Sequence, residues 1–234
     1  QEGPYVLVRT PPGDKPYVRK NWTYELRDFR AKSVIWSRHF LQDSPVVSWT
    51  TDHDAILMGW HVYSDAAHEE LKQFSDLKSS AEKEDMLYEL LDLRSNTTIG
   101  KLLVKTNKSS FFVTSAAVER DWAALSVSGN RVLIYSISSG KETGHVFGYS
   151  PVLSQAAGAY AVSTAEGTVG VYSLSTSQLR RSYKFPISVL YKKFSPDGKR
   201  LLVVTRDQTV YILDLTFPDE VVSDTPRPPS ILSR

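Results

Sequence analysis

The stretch Phe194 to Leu215, FSPDGKRLLVVTRDQTVYILDL, reads as three short strands separated by two tight turns. Ser-Pro-Asp-Gly supplies the first turn and Arg-Asp-Gln the second, because short polar side chains and glycine satisfy turn backbone. Its last segment, TVYILDL, is rich in β-branched and aromatic residues and ends on Asp214-Leu215. Four relatives of that segment occur upstream: TYELRDF (Thr23 to Phe29), LYELLDL (Leu87 to Leu93), RVLIYSI (Arg131 to Ile137) and TVGVYSL (Thr168 to Leu174). Aligned on the last residue, Asp or Ser is penultimate and Phe, Leu or Ile closes. The closing residues are spaced 64, 44, 37 and 41 apart.

The surroundings repeat as well. Upstream of each copy lie two further strands around a turn, as in SPVVSWTTDHDAILMGW, SFFVTSAAVERDWAALSV, SPVLSQAAGAYAVST and SVLYKKFSPDGKRLLVVT. Downstream comes a more polar strand, such as SVIWSRHF, GKLLVKT, ETGHVFGY or QLRRSYKF. Near-continuous apolar strands followed by a charged one suit a radial stack of small sheets, whose inner strands are covered on both faces while the outer strand meets water. A period near 40 to 45 residues is that of four-stranded blades, which bury a core only by stacking on one another.

Phe194 to Leu215 resembles a blade of the WD-repeat and related β-propellers, in which FSPDGK-type turns and strands ending in Asp plus an apolar residue recur. The resemblance covers nearly the whole chain in period and is specific in that last blade. It implies an all-β propeller of four-stranded antiparallel blades, with about five blades represented. The chain departs from the family in lacking Trp-Asp at the strand ends and the Gly-His pair ahead of each blade. Gly144-His145 falls inside an outer strand, so the resemblance is to a degenerate WD-like propeller without the family's structural His–Asp network.

Counting segments gives three, four, four, four and three strands, spanning residues 1–217 and followed by a Pro-rich tail or linker, 218–234. Two arrangements suit that count. Five blades close on themselves with PYVLVRT (Pro4 to Thr10) as the outer strand of the last blade, or the chain is part of a larger propeller with blades absent at one end. The second is preferred, since a chain opening on Gln1 reads as a processed form or a piece of something longer, and incomplete end blades leave edges that favour association.

The 64-residue step exceeds the others by an insertion at 64–86 between the second and third strands of its blade. Ser64 or Asp65 suits an N-cap, Glu69 and Glu70 follow early, and Leu71, Phe74 and Leu77 form a narrow apolar stripe. One short amphipathic helix is expected, lying on the propeller as a dispensable decoration. In the last blade Val210 and Ile212 alternate with Tyr211 and Leu213, so both faces are apolar and Ile212 is expected between two blades.

Composition excludes much chemistry. The 234 residues are 41% hydrophobic and 11% aromatic, enough for a substantial core, and the net charge is +2. That mild charge gives no reason to expect nucleic acid. The absence of Cys removes disulfides, thiolate metal sites and cysteine nucleophiles but leaves the compartment open. No apolar run approaches the roughly 18 residues of a membrane-spanning helix. The histidines, His39, His53, His61, His68 and His145, form no zinc-protease motif and accompany no nucleophile elbow. Asp52, His53 and Asp54, with His61 nearby, are the most metal-like cluster, yet they occupy the turn that SPDGKR fills in the last blade, where adjacent residues point apart. TAEGTVG lacks the strand-to-helix setting of a phosphate loop, and Glu89 and Asp92 project from opposite faces of one strand. Trp49, Trp60 and Trp122 fall on inner strands and are expected in the core. Asn21, Asn96 and Asn107 begin N-x-[ST] sequons, which matter only in a glycosylating pathway.

Charge is uneven: residues 65–92 carry nine acids against three bases, and 180–206 carry eight bases against Asp197. Arg180, Arg181, Lys184, Lys192 and Lys193 are therefore the candidate contacts for a partner, although Arg180, Arg181 and Lys184 also suit the guarding of an outer strand edge. The reading is of a non-catalytic propeller, without cofactor, that presents loops to a protein or peptide partner. The alternative is the propeller domain of a larger exported enzyme, such as an oligopeptidase, whose catalytic domain lies outside this chain. A propeller enzyme of the lactonase or quinone-dependent type would need inward acids and metal ligands repeated across blades, and these are not visible.

Overall fold

The computed structural model describes residues 5–13, 20–50, 54–72, 75–93, 95–106 and 112–216. Its first sheet holds β1 (Tyr5–Thr10), β2 (Trp22–Asp28) and β3 (Ser33–Phe40). The second holds β4 (Val46–Trp49), β5 (Ala55–His61), β6 (Met86–Asp92) and β7 (Thr97–Val104). The third is built from β8 (Val113–Glu119), β9 (Trp122–Val127), β10 (Arg131–Ser136) and β11 (Lys141–Phe147). The fourth contains β12 (Tyr149–Ser154), β13 (Ala159–Ser163), β14 (Thr168–Ser173) and β15 (Leu179–Lys184). The fifth contains β16 (Val189–Phe194), β17 (Arg200–Thr205) and β18 (Val210–Asp214).

Each sheet is an antiparallel meander of consecutive strands, and the strand count of three, four, four, four and three matches the sequence reading. Four hydrophobic cores lie between successive sheets: Tyr24 and Leu26 with Ile56 and Met58, Tyr88 and Leu90 with Leu125 and Leu133, Val132 and Ile134 with Tyr160 and Val162, and Val169 and Val171 with Leu201 and Val203. The innermost strands follow one another around the axis, β4 touching β8, β8 touching β12 and β12 touching β16. A parallel bridge between Thr50 and Ala116 shows that two of them run in the same direction. This is the architecture of a β-propeller, stabilised by burial at roughly 25 cal/mol per Å² of apolar surface between blades. Among the described residues no hydrophobic cluster joins the fifth sheet to the first, so the blades form an arc.

Three expectations are corrected. PYVLVRT is not the outer strand of the last blade; β1 pairs with β2, from Tyr5 opposite Asp28 to Thr10 opposite Thr23, and packs Tyr5 and Leu7 on the first core. The insertion forms two helices, α1 (Asp65–Leu71) and α2 (Ser75–Ser80), and Met86 already belongs to β6. Ser64 is the N-cap, its hydroxyl accepting from the Ala67 amide at 3.2 Å. Ala67, Leu71 and Leu77 are buried in the core between the first two blades, so the insertion is part of that core; Phe74 lies outside the described residues. A Cβ on Gly140, in the β10–β11 turn, would lie 3.0 Å from Leu77 and 2.6 Å from the Lys101 carbonyl, so α2 also reaches the third blade.

The third correction concerns Ile212, which is 64% exposed, with Val210 at 57%. Among the described residues, only the face of β17 and β18 that carries Leu201, Val203, Tyr211 and Leu213 is covered, by the fourth blade. Ile212→Asp is therefore expected to change unfolding free energy by about 0.5 kcal/mol or less, whereas Val203→Asp, at a fully buried position, should cost several kcal/mol. Urea denaturation of the two variants at nanomolar concentration, where the chain is monomeric, checks this, and equal destabilisation would mean that the outer face is covered from within the chain.

Candidate functional site

Four of the innermost strands finish close together beside the axis. There the last residues of β8 (Ala117 to Glu119), β12 (Val152 to Ser154) and β16 (Lys193, Phe194), with Thr50 just beyond β4, surround a cavity of about 570 Å³. Its remaining walls come from Ser195, Pro196, Arg200, Leu202 and Ile212, and from Asp54 in the β4–β5 turn. Val118, Val152, Leu153, Phe194, Leu202 and Ile212 give it an apolar lining. Asp54 and Glu119 supply acids from the second and third blades, and Lys193 and Arg200 supply bases from the fifth.

Most of the polar groups here complete turns. The Thr50 hydroxyl donates to Asp54 Oδ1 at 2.9 Å and accepts from the Ala55 amide at 3.1 Å. Ser195 repeats the device in the fifth blade, donating to Asp197 Oδ1 at 2.6 Å and accepting from the Arg200 amide at 2.9 Å. Asp197 is held below the ordinary carboxylate range, first by the Ser195 hydroxyl and then by the Lys199 amide. Gly198 closes this turn at φ +71°, and a Cβ there would lie 2.3 Å from the Ala157 nitrogen of the neighbouring blade. Only glycine fits both constraints. The Ser154 hydroxyl accepts from the Ala157 amide at 3.1 Å. No histidine lines the cavity, and its serines are engaged by turn backbone, so no nucleophile there is hydrogen-bonded to a histidine base.

The basic residues singled out in the sequence do not form one patch. Arg180, Arg181 and Lys184 lie on β15, the outermost strand of the fourth blade, and Lys192 and Lys193 on β16, the innermost strand of the fifth. Arg180 donates to the Ala157 carbonyl at 3.0 Å, Arg181 to the Thr216 carbonyl at 2.7 Å and Lys184 to the Glu166 carbonyl at 2.6 Å. Lys193 is exposed and borders the cavity. Lys192 is 4% exposed, so it is no surface contact. Its ammonium group reaches back to the fourth blade, donating to the Ser150 carbonyl and, at 2.8 Å, to the Ser163 hydroxyl. Ser150 sits at φ +51° beside a bulge in β12. Burial lowers the Lys192 pKa to about 7.

Of the metal-like cluster, Asp52 and His53 lie outside the described residues, and Asp54 receives the Thr50 hydroxyl. His61 stacks on Tyr63 with ring centroids 5.0 Å apart. Among the described residues no group of three metal-ligating side chains converges. Glu89 is buried and accepts both Arg38 Nη1, at 2.9 and 3.0 Å, and the Thr98 hydroxyl, at 2.5 Å. Trp60 is buried and donates to the Asp43 carbonyl at 2.9 Å, while Trp49 and Trp122 are half-buried against the inter-blade cores. Gly144 and His145 lie within β11, as the sequence indicated. No helix among the described residues is long and apolar enough to cross a membrane.

No protein-family model matches the chain. Among curated proteins it is similar to eukaryotic translation initiation factor 3 subunit I of Aspergillus oryzae and of Neosartorya fischeri, each 33% identical over 64 residues. The match covers 25% of this chain and 19% of either relative, so the chain spans about a fifth of the length of the curated relatives it matches. Similar solved structures include BamB from Moraxella catarrhalis, at TM-score 0.49 and 13% identity over 84% of this chain and 53% of that one. The β-propeller domain of Cps50 (Swd1) from Myceliophteria thermophila gives TM-score 0.49 and 13% identity over 88% and 62%. Its own stacked antiparallel meanders make this chain a run of β-propeller blades.

Proposed function

We propose that the chain is a non-catalytic interaction module whose cavity at the shared ends of the innermost strands takes an extended segment of a protein partner. The observation that carries this reading is the lining itself: apolar walls from three blades, acids on one side and bases on the other. Such a surface suits a peptide that buries one apolar side chain and sets a charged residue on either side of it. Lys193 and Arg200 favour a peptide acid, and Asp54 and Glu119 a peptide base. Arg180, Arg181 and Lys184 lie farther out and would extend an acidic partner's contact along the fourth blade.

Selection of a random peptide library on the intact chain tests the proposal. Enriched peptides should carry an apolar residue flanked by charge. Lys193→Glu and Glu119→Lys should each weaken their binding by about tenfold, measured by fluorescence polarisation. Peptides that bind both variants as well as the parent would remove the cavity as the binding site.

A further inference from the structure

The third strands of the blades obey one packing rule. Counting back from the closing residue, the side chains at the fifth and third preceding positions face the following blade. They are Tyr24 and Leu26, Tyr88 and Leu90, Val132 and Ile134, and Val169 and Val171, none more than 2% exposed. The closing residue faces the preceding blade and joins that same cluster: Leu93 with Tyr24 and Leu26, Ile137 with Tyr88 and Leu90, Leu174 with Val132 and Ile134, and Leu215 with Val169 and Val171. These closing residues are 4–6% exposed.

At the two ends of the arc the rule is left half-filled. Val210 and Ile212 occupy the forward-facing positions of the fifth blade at 57% and 64% exposure, and Phe29 is the closing residue of the first blade at 75%. Each free face therefore holds the half of the contact that the other lacks. We propose that the fifth blade of one copy docks on the first blade of a second copy, head to tail, with Phe29 of one seated against Val210 and Ile212 of the other.

Charge supports the same pairing. Within the chain, Glu89, four residues before its closing residue, is met by Arg38 of the preceding blade. Glu25 holds the equivalent position in the first blade, on the face turned away from the second, where it pairs with Arg27. The free face of the fifth blade carries Lys193 and Arg200, the latter paired with Asp214 at 3.4 Å. An acid on one face thus meets bases on the other, here from β16 and β17 and not from an outer strand as Arg38 is. The chain's own first blade does not fill the role, since no hydrophobic cluster joins the two ends among the described residues. The contact is heterologous, so copies add until a ring closes or continue as an open array. Its fifth-blade half overlaps the peptide cavity through Ile212, Lys193 and Arg200, so the two contacts compete there, while Phe29 does not line the cavity and its substitution tests the docking alone.

The absence of cysteine makes introduced thiols unambiguous. Phe29→Cys and Ile212→Cys are to be prepared separately, mixed, oxidised gently and analysed by non-reducing electrophoresis and peptide mass spectrometry. Head-to-tail docking predicts a 29–212 disulfide between two molecules in the mixture, at about tenfold the yield from either variant alone. Sedimentation velocity of the parent chain should show mass-action association across the micromolar range, weakened at least tenfold by Ile212→Asp and by Phe29→Asp. A dominant 212–212 product would replace the proposal with back-to-back packing of fifth blades. A monomeric disulfide in the doubly substituted chain, without intermolecular product, would mean that one chain closes on itself. A chain that stays monomeric and uncross-linked throughout that range would assign these faces to a different partner and overturn the proposal.

Discussion

Replacing residues 64–85 by an Asn-Gly turn is expected to abolish cooperative unfolding of the first two blades. The insertion puts Ala67, Leu71 and Leu77 into the core that also holds Tyr24, Leu26, Ile56 and Trp60. Truncating a buried leucine to alanine costs about 2–5 kcal/mol, and two leucines are lost together here. Glu70 of α1 also pairs with Lys101 and, at 3.5 Å, with Arg38, and the Lys101 side chain is only 10% exposed. Losing Glu70 removes this ion pair from a largely buried ammonium group. These losses together are comparable with the whole stability of an ordinary domain, roughly 5–15 kcal/mol. Urea unfolding followed by circular dichroism measures the result, with Leu71→Ala and Leu77→Ala as milder companions. An unchanged midpoint in the shortened chain would show the helices to be surface additions.

Lys192→Met should flatten the dependence of stability on pH between about 7 and 10. Burial lowers the pKa of this lysine in the folded chain to about 7, against 10.5 for a lysine in water. Between those values the unfolded chain binds one more proton than the folded chain, so stability rises with pH across the window. A tenfold difference in proton affinity is worth about 1.4 kcal/mol, so the stability gained toward pH 10 and absent below pH 7 is on the order of 4 kcal/mol. Above pH 10 the trend reverses, because burial raises the pKa of Tyr88, Tyr135 and Tyr160, and the unfolded chain loses those protons first. The tyrosines are common to both proteins, so the difference between parent and Lys192→Met isolates the lysine. Urea midpoints at pH 7, 8.5 and 10 provide the measurement. Parallel pH curves for the two proteins would show that Lys192 titrates as an exposed amine.

The column of third strands was legible in sequence because every interior blade is covered on both faces, which forces a dense apolar run ending at a turn. Ile212 was not, since its apolar character is the same as that of Val171 and only the presence of a following blade separates the two. The pair Lys192-Lys193 reads as one basic dipeptide. Strand periodicity nevertheless puts Lys192 on the same face as Phe194, the buried one, and Lys193 on the other. That alternation was available without a structure and separates the two lysines correctly. The insertion's helical character followed from Ser64 and the early acids, but its place in the core depends on Leu71 and Leu77 meeting side chains far away in sequence. The cavity was hidden for a related reason. It is made from the ends of β8, β12 and β16, which share no motif and meet only because each sheet begins at the axis.

Because every sheet is a meander of consecutive strands, and every core joins a blade only to its neighbours, the molecule is a one-dimensional array of local units. Loop-closure entropy is met in small steps along such a chain, so ordering can begin in any blade and spread outward. The third blade has a neighbour on both sides and a core on each face. The first and fifth blades have one each. Opening therefore proceeds inward from the two ends, and the amides of β9 and β10 are the last to meet solvent.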